Sequence, residues 1–577
     1  MMDHGKIVIY QLLPRLFSNT KLHNKMYGTM EDNGCGKLNH ITHEALDAIK
    51  KLGATHVWFT GIIEHATCSD FKQYGIQSDN PLVVKGVAGS PYAIKDYYDV
   101  APDLAEDVPN RMQEFEDLVA RCHKTGLKVI IDFVPNHVAR QYQSDVRPSH
   151  TQDLGVNDNP ETEFLASNNF YYLPDKELQL PLELNKLPYV QASGIASYCE
   201  FPAKVSGNDV FTNNPEVTDW YETIKLNYGV DYMNQQYGHF NPIPDTWNKM
   251  RDILFFWAGK NIDGFRCDMA EMVPVEFWNW VISQIKDTKP EIHFIAEIYN
   301  PEAYKSYVTD AKFDYLYDKV GLYDTLKEII MHGASARLLT QEWKKLNGLD
   351  AHMLRFLENH DEQRIASRFF ASNPRFAFPA MGVSTLMNKG PVMIYFGQES
   401  GEPAIGSVGF SGDDGRTSIF DYCSVPEHIK WVNEGKYDGG QLSVDQVNIR
   451  GFYTKLLNLA QNEIFASGGF YDLMWFHPDG DYFDGRYIYV FLRHAKSKAF
   501  LVVANFHQNQ SMKIRIRFPK EVIEIMDWKE DFAVYGKDLL WDQKVFFSES
   551  TEFLNEGLVI NTESSSIYAF ELEITNH

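Results

Sequence analysis

Cysteine is scarce. Six residues in 577 (Cys35, Cys68, Cys122, Cys199, Cys267 and Cys423) form no CxxC pair and fall far below the density of a disulfide-stapled secreted domain, so they read as reduced structural thiols. Low-complexity tracts and short-period repeats are absent too, which excludes a solenoid and a disordered chain. Positive charge is in deficit: 54 Lys and Arg stand against 78 Asp and Glu, a net −24. That balance repels phosphate backbones and anionic bilayers, so nucleic acid and membrane are excluded as partners and a neutral or cationic ligand is expected. The first residues, MMDHGKIVIYQLLPRLF, carry no basic leader, and Gln11, Pro14 and Arg15 break their apolar run. Neither a signal peptide nor a membrane span is expected, and a cytoplasmic location follows as an expectation.

What is present describes a large folded chain. Hydrophobic residues make up 44% and charged ones 23%, and the length calls for two or three domains. The 31 Tyr, 38 Phe and 11 Trp offer flat faces suited to stacking on pyranose rings, although most aromatics in any large protein are core. Short apolar runs rich in β-branched residues recur: KIVIYQL, THVWFTG, KVIIDFV, DGFRCD, HFIAEI, MLRFLEN and PVMIYFG. Amphipathic helices separate them, such as Glu44 to Gly53 and Arg111 to Gly126, each closed by a glycine. About eight such units predict an α/β fold, a (β/α)8 TIM barrel, with a doubly wound sheet as the alternative. Roughly a hundred residues rich in Asn, Pro, Tyr and Asp interrupt the rhythm after the third strand and predict an inserted B domain. The alternating runs YIYVFLRH, AFLVVANF, MKIRIRF and SSIYAFELEI predict a C-terminal antiparallel β domain. The expected division is a barrel over 1–137 and 240–468, an insert over 138–239 and a β-sandwich over 469–577.

Four segments carry candidate chemistry. Asp132, Asn136 and His137 lie in DFVPNH, past a strand, where Asp132 could equally cap a loop and His137 simply pack. Arg266 and Asp268 in GFRCD are two apart on a strand and share a side, as a nucleophile beside a cation or as a buried ion pair. Glu297 ends the largely apolar strand HFIAE, which would desolvate it and raise its pKa unless it faces solvent. His360 and Asp361 in FLENHDEQR end another strand, with Arg364 three residues on. An ionised and a protonated carboxyl placed together are what double displacement at an anomeric carbon requires.

In that order and spacing, DFVPNH, GFRCD, AEIY and ENHD resemble the four signature regions of the α-amylase superfamily, glycoside hydrolase family thirteen. SPYAIKDYYDVAPD, KLNY at Lys225 to Tyr228 and GPVMIYFGQE resemble further segments of that family, so the likeness covers nearly the whole chain. It implies a retaining glycosidase of α-1,4-glucans or maltooligosaccharides, with Asp268 as nucleophile, Glu297 as acid/base and Asp361 gripping the distorted sugar. It further implies that Arg266 keeps Asp268 ionised, that His137, His360 and Asp132 bind the sugar, and that Tyr92 is its platform. A transglycosylase using the same residues, and a non-catalytic carbohydrate-binding or assembly subunit, are the alternatives.

Two departures bear on metal. Glu271-Met272 stands where many endo-amylases have Lys-His, which puts the usual structural calcium in doubt while leaving Asn136 as a possible ligand. EDNGCGKLNHI resembles an acidic metal loop, but Cys35 and Lys37 bring a thiol and a cation that hard divalent ions disfavour. No cofactor is expected for the chemistry itself. Cys267 is expected to face away from Asp268 and pack. Oligomeric state is not legible.

Overall fold

A computed structural model describes residues 5–406, 412–480, 482–495, 498–528, 532–541 and 545–576. Eight parallel strands form its central sheet: β1 (Val8–Leu12), β2 (His56–Phe59), β3 (Lys128–Phe133), β4 (Gly264–Cys267), β5 (His293–Ala296), β6 (Tyr315–Tyr317), β7 (Met353–Leu354) and β8 (Val392–Tyr395). Neighbours run β7-β6-β5-β4-β3-β2-β1-β8. The two ends meet where Arg355, just past β7, bridges Val392: Arg355 N–H donates to the Pro391 carbonyl at 3.0 Å, and Met393 N–H to the Arg355 carbonyl at 2.8 Å. The sheet is therefore a closed barrel, whose strands bury nearly every residue because helices cover the outside.

The helices begin and end where the sequence punctuates them. The helix His43–Leu52 starts at Thr42, whose side chain accepts from Ala45 N–H, a cap that contributes about 1 kcal/mol. It stops at Gly53, left-handed at φ 115°, as Arg111–Thr125 stops at Gly126. After β3 the chain leaves the barrel. The strand His137–Ala139 pairs with Thr223–Lys225, Tyr172–Leu173 with Ala203–Lys204, and Val230–Asp231 with Tyr237–Gly238, before the helix Asp245–Ala258 leads to β4. Its small buried cluster, Tyr171, Leu173, Leu178, Ala203 and Val205, is separate from the main core.

Past the helix Val444–Leu459 lies a six-stranded antiparallel sheet with a two-stranded one, Met512–Ile516 against Leu558–Thr562. One continuous apolar core joins this region to the barrel. Arg493, fully buried on the strand Ile488–Ala495, donates to the carbonyls of Leu386, Asn388, Ile464, Phe465, Gly468 and Gly469, tying sheet to barrel. At Gly382, a Cβ would come 2.3 Å from Ile567 Cδ1, so the buried helix Phe378–Leu386 can press against the sheet only through a glycine. Among the described residues no helix is long and apolar enough to cross a membrane.

Two expectations need correcting in detail. Seven strand runs were legible, but β6, three residues in KFDYLYDK, is too short to announce itself. MLRFLEN yields a strand only at Met353–Leu354, so His360 and Asp361 sit on the loop beyond it rather than at its end.

Candidate active site

At the C-terminal ends of the barrel strands several carboxyl groups gather around one arginine. Arg266, on β4, is fully buried. Its Nη1 donates to Asp268 Oδ1 at 2.7 Å and to Asp132 Oδ1 at 3.3 Å, and its Nε to the Tyr317 hydroxyl at 3.0 Å. Nη2 lies 2.8 Å from Glu297 Oε2. The rings of Trp58, Tyr92 and Tyr317 surround the guanidinium at 5.3–5.4 Å, favourable to a cation over aromatic faces. Asp268 shares the side of Arg266 because it lies two residues on, while Cys267 between them is packed in the apolar core.

One guanidinium does not neutralise so many carboxylates. Burial, the largest cause, raises the Asp268 carboxyl above the ordinary range; the charges of Glu297 and Asp132 add to it and Arg266 opposes them. Burial likewise raises Asp132, whose Oδ2 accepts from Trp58 Nε1 at 2.9 Å. Asp361 goes the other way: burial pushes it up, but His360, Arg266 and Arg416 outweigh burial and hold it below its usual value.

Glu297 is buried, yet not in the apolar pocket its strand suggests. Its Oε1 accepts from the Tyr299 hydroxyl at 2.7 Å and its Oε2 from Met269 N–H at 2.8 Å, besides the contact with Arg266. Met269 adopts a left-handed φ of 43°, the backbone conformation in which its N–H meets Glu297.

His360 is fixed on both sides. Gln11 on β1 donates to its Nδ1 at 2.8 Å, so the ring proton sits on Nε2, which faces the Tyr92 hydroxyl and lies 3.0 Å from Asp361 Oδ2. Tyr92 stacks on the imidazole at 5.2 Å. His137 stands beside the main chain of Tyr92 and against the ring of Trp220 at 5.1 Å. Burial first, then Lys225 and Lys85, push its pKa down to about 3, so the ring is neutral at every ordinary pH.

Asn136 does not fit a divalent cation. Its Oδ1 accepts from Lys225 Nζ at 2.9 Å, its Nδ2 donates to the Gly207 carbonyl at 2.7 Å, and the ammonium is paired with Asp209 at 2.5 Å. A fixed positive charge thus sits where a metal would need oxygen ligands. The EDNGCGKLNHI loop behaves alike: Lys37 Nζ donates to the Asp103 carbonyl at 2.7 Å and Lys25 pairs with Asp32. Glu271, the departure beside Asp268, accepts the N–H groups of Tyr299 and Asn300 at 3.1 Å and so holds the loop that carries Tyr299. Arg364 is structural, bonded to Glu358, Thr417 and the Phe396 carbonyl.

Sequence reasoning did not place Gln11, Trp58, Tyr299 or Tyr317 in the site. Gln11, Trp58 and Tyr299 lay inside the quoted runs, where Gln11 is a polar break in an apolar strand and alternation could have pointed Trp58 toward Asp132; Tyr317 had no local signal.

The alpha amylase catalytic-domain family model matches residues 11–420. An alpha-amylase of Streptomyces lividans is 26% identical over 434 residues, 67% of this chain and 42% of that protein, so the match spans less than half of that relative. A cyclomaltodextrinase of Thermoanaerobacter pseudethanolicus is 23% identical over 539 residues, 91% of this chain and 73% of its own. Among solved structures, the maltogenic alpha-amylase AmyB of Thermotoga neapolitana superposes with a TM-score of 0.61 at 18% identity, over 99% of both chains, a likeness of fold. With a closed barrel, its insert after the third strand and a family match over most of its length, the chain belongs to the alpha-amylase family.

Proposed function

We propose that the protein hydrolyses α-1,4-linked glucans or maltooligosaccharides with retention of anomeric configuration. The observation that carries this reading is the single guanidinium shared by Asp268 Oδ1 and Glu297 Oε2, which keeps two carboxyls side by side and gives them different partners. Asp268 attacks the anomeric carbon while Glu297 passes its proton to the departing glycosidic oxygen, leaving a glycosyl ester on Asp268. Glu297, now ionised, takes a proton from water, whose oxygen attacks the same carbon and releases Asp268. Asp361, held ionised beside His360, takes sugar hydroxyls and the positive charge developing on the ring. His360, neutral His137 and Tyr92 line the sugar's position, and Asp132 with Arg266 braces it. The chemistry needs no cofactor. Free thiols at all six cysteines are consistent with a cytoplasmic location and with imported oligosaccharides or stored glycogen as substrate.

The test is the stereochemistry of early products from maltoheptaose, followed by proton NMR. The α-anomer is expected first; an initial β-anomer overturns the mechanism. Repeating the digestion with added glucose separates hydrolysis from glycosyl transfer, and inertness toward every α-glucoside would make the protein a binding subunit.

A further inference from the structure

A second acidic cluster lies apart from the Arg266 site, where the barrel meets the inserted segment. Glu64 belongs to the strand Ile63–His65, which pairs antiparallel with Ile94–Val100, bringing Glu64 opposite Asp96 and near Asp99. Asp145 comes from the start of the insert and is drawn in by two backbone bonds. Gln143 N–H donates to the Lys95 carbonyl at 3.0 Å, and Asp145 N–H to Asp96 Oδ2 at 3.0 Å. One carboxylate oxygen each from Glu64, Asp99 and Asp145 lies within 4.8 Å of the others. That is the separation allowed to oxygens around one ion at the 2.3–2.6 Å bond length of calcium.

The Glu64 side chain is the independent sign. It is 2% exposed, its Oε2 is buried with no hydrogen-bond partner, and the same carboxylate stands in the cluster with the other two. A buried carboxylate oxygen left unpaired costs several kcal/mol by order of magnitude, and proteins keep such atoms where something else meets them. The cations nearby do not. Arg111 takes Asp99 Oδ2 from one side, and Lys95 is spent on Asp79 and the Gln77 carbonyl. Four carboxyls, Asp96 included, therefore have only the charges of Arg111 and Lys95 near them, both bonded elsewhere than to Glu64. Asp145 is exposed and leaves a path from solvent.

We propose that Glu64, Asp99 and Asp145 bind a divalent cation of the calcium type, which clamps the start of the inserted segment to the strand pair that follows β2. The donors are all hard oxygens, with no imidazole or thiolate, which suits calcium over zinc or copper. Because Tyr92 lies two residues before the strand that carries Asp99, the clamp also steadies the wall of the candidate active site.

The test uses the full chain stripped with EDTA. Calorimetric titration with calcium chloride is expected to show one site, and melting is expected to move upward with added calcium. Asp145→Asn, on the exposed member, should weaken binding at least tenfold without loss of fold, and Glu64→Gln should do the same from the buried side. No binding up to millimolar calcium overturns the proposal and leaves a cluster of proton-sharing carboxyls. Binding of unchanged strength in Asp145→Asn also overturns it, because the ion would then sit elsewhere. Neither outcome touches the assignment of Asp268 and Glu297, which rests on other residues.

Discussion

The two acidic clusters use the same side chains and solve their charge problem differently. Around Asp268 the counter-ion is built in: Arg266 reaches three carboxyls from one fully buried position. Around Glu64 the nearby cations are engaged elsewhere, Arg111 with Asp99 and Lys95 with Asp79, and Glu64 Oε2 is left unpaired. A protein-borne cation lowers the cost of ionising the carboxyls beside it and cannot dissociate. An acidic cluster without one is left to protons or to an ion from solution.

The sharpest way to break this contrast is Asp268→Asn, expected to lower kcat on the order of 10⁴-fold or more while circular dichroism stays native. A variant keeping a hundredth of the activity would put the nucleophile elsewhere. Glu297→Gln should cost about 10²–10⁴-fold, and the loss should shrink for substrates with acidic leaving groups, which need no proton. An equal loss for all leaving groups would remove Glu297 from the acid role.

Arg266→Lys tests the built-in counter-ion directly. Loss of the guanidinium fork leaves Asp268 neutral to higher pH, so the acid limb of the kcat/KM profile should move upward. An unmoved limb would mean that Arg266 braces the site without setting its protonation.

The smallest effect belongs to the second cluster. Burial, opposed by backbone hydrogen bonds, raises Asp96 to about 7, against about 3.9 for an unfolded aspartate. The folded state then holds a proton that the unfolded chain has lost, so without calcium this group's stability contribution falls as pH rises from about 4 to about 7. Melting of Asp96→Asn in EDTA should be flatter across that window; an identical slope would show that the pH dependence lies elsewhere.

Much of the fold could be read early because it rests on period. Glycines at Gly53 and Gly126 stop helices where amphipathic runs end, and the quoted strand runs contain seven of the eight barrel strands. The three-residue strand Tyr315–Tyr317 escaped because so short a segment has no period, and its place is set by pairing with β5 and β7. The surroundings of Glu297 were misjudged for a related reason. Its strand neighbours are apolar, but its carboxyl leaves the strand and meets Tyr299, Met269 N–H and Arg266, two of which come from another strand end.

Local order in the chain indicated the residue types of the candidate site and their sequence on the barrel, because strand ends and the two-residue alternation are properties of short segments. Whether a carboxyl found a cation, and which one, was settled only by packing. Lys225 lies 89 residues from Asn136, and Asp145 lies 81 residues from Glu64, separations that no local pattern encodes. Coulomb interactions act through space across strands brought together by the closed sheet, so the charge state of each site is a tertiary property.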